Sequence, residues 1–133
     1  MTAYLDTNIL VCHLTGDPPE MAARATHLLA TEPDLVLVDL VAAELVYVLD
    51  SFYETPRAQV AQALRALLAM GTVRCDGASV LLRAAAVYES HRLDFAEAYL
   101  VACAEDSGVG RIVSFDRTID RVGSVERVGP QAA

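Results

Sequence analysis

Apolar residues along the chain follow two rhythms: short unbroken runs, and longer stretches where they return every three or four positions. Ala3-Tyr4-Leu5, Leu35-Val36-Leu37-Val38 and Ile112-Val113 belong to the first kind. Each is too short for a helix, and the run at 35–38 reads as a strand covered on both faces. Residues 72–75 add a plausible short strand, residues 111–115 extend the run around Ile112, and residues 125–128 read as a last edge strand before Pro130. The second rhythm predicts helices over 9–14, 20–30, 41–52, 57–69, 78–91 and 93–106.

Local signals bound these helices. Gly16-Asp17-Pro18-Pro19 stops the first and opens the second. Thr55-Pro56 reads as an N-cap and first-turn pair, and Gly71 and Gly108 read as helix stops. Strands alternating with helices imply parallel crossovers. The expected fold is α/β: a three-layer α/β/α sandwich around a mostly parallel five-stranded sheet, with residues 1–133 forming one domain.

Composition narrows the chemistry. Hydrophobic residues make up 54% of the 133, within the globular range, and no apolar run reaches the ~18 residues of a membrane span. The N-terminal run breaks at Asp6 and lacks a basic flank, so it does not read as a signal peptide, and the expected location is cytoplasmic. Cys12, Cys75 and Cys103 are odd in number and far apart, which suits reduced thiols rather than a disulfide framework or a zinc site. A net charge of −8 argues against a module that coats nucleic acid through a basic patch. All ten basic residues are arginine. Without lysine there is no P-loop and no Schiff-base chemistry.

The acids carry the remaining signal. Asp6 and Asp116 each follow an apolar strand, at the carboxyl end where ligands collect in α/β sheets. Each also suits a helix cap or Asx-turn. Glu44 interrupts an apolar helix whose face-mates are Leu40, Val41, Tyr47 and Val48, where an unpaired carboxylate costs several kcal/mol. Asp94 and Glu97 share a helix face, and their spacing before an apolar run also fits a capping box. Asp120 reads as a solvated loop acid. The βα alternation lets the acids converge over one sheet edge, and clustered oxygen donors suit Mg²⁺ or Mn²⁺.

Asp6-Thr7-Asn8, Ala43-Glu44, Asp94-Phe95-Ala96-Glu97-Ala98 and Ser114-Phe115-Asp116 resemble, in order, the acidic motifs of the PIN-domain family. Within it the chain is most similar to VapC ribonuclease toxins of bacterial toxin–antitoxin pairs. The resemblance implies a metal-dependent endoribonuclease acting on RNA, with Mg²⁺ or Mn²⁺ as cofactor. It further implies a homodimer and inhibition by a VapB-type antitoxin, with DNA reached only through that antitoxin. Carried over by motif, Asp6, Glu44, Glu97 and Asp116 are the catalytic and metal-binding set, and Asp94 matches an additional acid. The family usually has Asp where this chain has Glu97.

Asn8 and Ser114 are candidates for orienting those carboxylates. Arg92 and Arg117, the basic residues nearest to the motifs, are candidates to meet RNA phosphates, although arginines so placed are more often ordinary surface residues. Helices 41–52 and 57–69, with Tyr47, Phe52 and Tyr53, are apolar enough to offer a groove to an antitoxin helix, although such faces are more often core. Two rivals stand beside the nuclease. The Glu97 departure suits a catalytically weakened binding partner of an antitoxin. A phosphoaspartyl hydrolase with Asp6 as nucleophile lacks a second Asp at position 8 and has no lysine.

Overall fold

In the computed structural model, which describes residues 1–129, the chain divides into two compact units, Met1–Ala78 and Ser79–Ala133. The first opens with β1 (Thr2–Tyr4), followed by α1 (Thr7–Thr15) and α2 (Pro19–Thr31). Gly16 ends α1 in the left-handed conformation (φ 72°), and its amide donates to the Cys12 carbonyl at 2.9 Å. Pro18 and Pro19 occupy the N-cap and first position of α2, where a missing N–H costs nothing.

Next come β2 (Asp34–Val36), α3 (Asp39–Tyr47), a π-helical turn (Val48–Phe52), α4 (Arg57–Leu68) and β3 (Val73–Arg74). The three strands form one parallel sheet in the order β1-β2-β3, with Ala3 opposite Leu35 and Leu35 opposite Val73. Leu10, Leu29, Leu35, Leu45, Leu64 and Leu67 fill its core. Each such side chain contributes roughly 1.5–3 kcal/mol of burial.

Three expectations are corrected in this unit. The 35–38 run is not covered on both faces: Leu35 and Leu37 are buried, but Val38 is 37% exposed, so the stretch alternates like a one-sided strand. The helix expected over 41–52 begins at Asp39 and changes to π geometry at Val48, where the Tyr53 amide reaches the Val48 carbonyl at 3.2 Å. Pro56, not Thr55, holds the N-cap position of α4, with no side-chain capping bond.

The second unit comprises α5 (Ala78–Ser90, beginning at the boundary), α6 (Phe95–Ser107), β4 (Arg111–Val113), a 3-10 helix (Arg117–Arg121) and β5 (Glu126–Val128). Tyr88 and Phe95 meet edge to face with ring centroids 6.0 Å apart, joining α5 to the start of α6. Gly108 closes α6 at φ 79°. β4 and β5 pair in parallel, Ile112 opposite Arg127. Arg83 grips Glu105 at 2.8 and 3.0 Å, and the Ser124 hydroxyl donates to the same carboxylate.

The α/β class and the parallel pairing therefore hold. The single five-stranded sheet does not: the strands divide into a three-stranded and a two-stranded sheet. The strands are only two or three residues long. Among the described residues no helix is long and apolar enough to cross a membrane. All three cysteines are free thiols; Cys12 is buried and the other two are half-buried. Burial pushes the Cys75 thiol above its ordinary pKa.

Candidate active site

In the first unit the backbone leaves β1 and turns at Asp6 (φ −93°, ψ 152°), whose Oδ1 accepts the Thr7 amide at 2.7 Å. Asp6 is thus itself the N-cap of α1; Thr7 and Asn8, also good capping residues, do not take that role. Thr7 is buried and Asn8 is exposed. The cap engages one carboxylate oxygen, and Asp6 remains solvent-exposed.

Glu44 lies in the middle of α3, the helix against which α1 packs. Its placement overturns the argument that singled it out. Glu44 is exposed, and so are two of its face-mates, Leu40 (78%) and Tyr47 (69%). No desolvation cost attaches to an exposed carboxylate, so helical spacing identified the face but not its environment.

The pattern passed over Asp39, which stands in the first turn of α3 just beyond β2, the same kind of station that Asp6 holds after β1. Its position after the run at 35–38 was the available signal. A Cβ at Gly77 would lie 2.6 Å from Asp39 Oδ1, so the absent side chain leaves room for this carboxylate.

In the second unit Asp94 is the N-cap residue of α6, but its side chain makes no capping bond, so the capping box does not form in that way. Glu97 follows in the first turn, half-buried. The helix N-terminus favours both negative charges there. Asp116 caps the 3-10 helix: its Oδ1 accepts the Thr118 hydroxyl at 2.7 Å and the Thr118 amide at 2.9 Å. These two donors, the hydroxyl foremost, hold the Asp116 carboxyl below the usual carboxylate range.

Ser114 orients the same turn, its Oγ accepting the Asp116 amide at 2.9 Å, while its carbonyl accepts Arg127 Nη1 at 3.0 Å. Asp120 is no loop acid; it lies within the 3-10 helix and pairs with Arg127 at 3.0 Å. The 3-10 helix packs on both α6 and β5.

Chemically, the candidate donors are all carboxylate oxygens, the kind that hard divalent cations take. Spatially, no group of three or more His, Cys, Asp or Glu among the described residues is arranged to hold a metal ion. That includes the second unit's own trio of Asp94, Glu97 and Asp116. The set fits such a cation in kind.

A comparison with known families matches residues 3–125 to the PIN domain. The chain belongs to the PIN domain family. The match spans every acid considered above and reaches into both units. PIN domains are generally nucleases, typically acting on RNA with divalent metal ions, and their fold is α/β. No curated protein matches the chain.

Proposed function

We propose that this PIN domain is an endoribonuclease of the VapC type, dependent on Mg²⁺ or Mn²⁺, and the toxin of a toxin–antitoxin pair. The observation that carries the reading is the family match over residues 3–125, with acids standing just beyond β1 and β4. Asp6, Glu44, Asp94, Glu97 and Asp116 are the residues that would hold the ion. When bound, such an ion lowers the pKa of water and neutralises charge on a phosphodiester.

The chain's own contribution is positioning. Thr118 keeps Asp116 ionised, Ser114 fixes the turn that carries it, and the capping bond fixes Asp6 at the start of α1. The reading places the protein in the cytoplasm as one domain and a homodimer. A VapB-type antitoxin would use the groove of about 460 Å³ lined by Val11, Tyr47, Val48, Ser51, Phe52 and Tyr53. Phe52 is 77% exposed, so this face is not core.

The test incubates purified protein and its Asp6→Asn variant with structured RNA and Mn²⁺. Cleavage by the wild type alone is expected; equal cleavage by both sinks the nuclease reading. A second reading, a catalytically weakened partner of an antitoxin, draws support from Glu97, which stands where the family usually has Asp. It predicts no cleavage by the wild type and recovery of activity in Glu97→Asp.

A further inference from the structure

The two units differ in charge. Residues 1–78 carry ten carboxylate side chains against four arginines, and residues 79–133 carry eight against six. Three of the second unit's arginines are committed to carboxylates: Arg83 to Glu105 at 2.8 Å, Arg127 to Asp120 at 3.0 Å and Arg111 to Glu126 at 3.6 Å. Arg121 is committed to backbone, its Nη1 donating to the carbonyls of Arg92 at 3.1 Å and His91 at 3.4 Å. Arg92 and Arg117 remain. Both are exposed, and neither guanidinium has an ion pair or hydrogen bond among the described residues. Arg24 of the first unit is likewise exposed and without an ion pair among the described residues, so what sets Arg92 and Arg117 apart needs an explanation beyond the lack of a partner.

Their placement supplies one. Arg92 lies two residues before Asp94, and Arg117 directly follows Asp116. Arg92 adopts the left-handed conformation at φ 57°, a region where Gly or Asn sits with less strain. An arginine held there suggests that its side chain is worth the strain. Arg121 ends the 3-10 helix that Arg117 begins, so its bonds to the 91–92 carbonyls tie the Arg92 loop to that helix. The backbone of Arg92 and that of Arg117 are thereby attached to the two ends of one short bridge. At about 2 Å of rise per residue the helical part spans roughly 8 Å.

We propose that Arg92 and Arg117 form a clamp for the phosphodiester backbone of single-stranded RNA, with Arg121 as the positioning residue that fixes Arg92. Guanidinium presents a planar fork that matches phosphate oxygens two at a time. The clamp lets a chain of strongly negative charge hold a polyanion beside its acids. The inference rests on the nuclease reading for its choice of ligand, but its test does not require catalysis.

Anisotropy of a labelled single-stranded RNA, measured in EDTA across a KCl titration, reads the clamp directly. Arg92→Gly and Arg117→Ala should each weaken binding several-fold and reduce the slope of log K against log salt by about 0.7, the value for one phosphate contact on a single strand. Arg92→Gly should leave the melting temperature unchanged or raised, since Gly relieves the positive φ. Arg92→Lys should keep most of the slope while losing affinity. Arg121→Gln should weaken binding toward the level of Arg92→Gly, and Arg24→Ala on α2 should change nothing. If wild type binds and cleaves RNA but Arg92→Gly and Arg117→Ala keep its affinity and slope, the clamp is overturned and the nuclease stands. Failure of the wild type to bind RNA also overturns it. A reduced slope in a protein that cleaves no RNA supports the clamp and removes the nuclease.

Discussion

Each unit contains a strand that runs into an acid and then into a helical turn, and the two junctions are built differently. After β1, Asp6 accepts one backbone amide and starts a nine-residue α-helix. After β4, Asp116 accepts a hydroxyl and an amide from the same threonine and starts a five-residue 3-10 helix. The longer helix gives Asp6 a rigid seat with little side-chain help. The short one relies on Thr118 and Ser114 to hold its acid. Similar stations after a strand can thus be stabilised by length in one case and by local hydrogen bonding in the other.

The largest expected effect tests whether the two stations are functionally equivalent. Asp6→Asn and Asp116→Asn should each slow RNA cleavage in Mn²⁺ on the order of 10³-fold, several kcal/mol of lost charge stabilisation. Initial rates that fall for one variant and not for the other would break the equivalence.

Gly77→Ala probes Asp39, the third acid at a strand end. The new Cβ would meet its carboxylate at 2.6 Å and force it aside, at a cost of about 1–2 kcal/mol. A thermal melt at the wild-type temperature would show that Asp39 yields freely.

Thr118→Val sharpens the contrast without touching an acid. With the hydroxyl gone, the Asp116 pKa should rise toward its ordinary value. The sign follows from the lowered pKa: Asp116 contributes stability above the ordinary carboxylate range near pH 4, and loses it as pH falls through its folded value. In Thr118→Val that loss should begin at higher pH. Carboxyl-carbon NMR of Asp116 across an acid titration reads the change, and an unmoved curve refutes the assignment.

The smallest effect belongs to the Asp34–Arg74 pair between β2 and β3, whose side chains are 37% and 54% exposed. Arg74 foremost, then Thr2, holds Asp34 below the usual range. Arg74→Ala should raise the Asp34 pKa but barely move the melting temperature, and salt should erase the difference. A large, salt-independent drop would mean that the pair does more than join two strands.

What could be read in advance follows from range. Gly16 and Gly108 were legible as stops because a left-handed cap is a local matter of one residue. The parallel pairing followed from the alternation of strands and helices, and the ordered acidic motifs pointed to the family now matched over residues 3–125. The surroundings of Glu44 were not legible, because spacing tells which residues share a face, not whether that face is covered; Leu40 and Tyr47 are exposed. Asp6 was legible as an acid at a strand end, but its choice between cap and ligand depends on hydrogen bonds that sequence does not contain. Nothing in Val48-Leu49-Asp50-Ser51-Phe52 distinguishes five residues per hydrogen-bonded step from four.

That π turn also changes how this chain must be lined up with others. It spends one residue more than an α-helix of equal reach, so it behaves as a single-residue insertion carried inside a helix. Against a relative with a regular helix here, a correct alignment opens a one-residue gap within 48–52. An ungapped alignment would shift every equivalence downstream by one, and Phe52 would be compared with a position about 100° around the helix from its own.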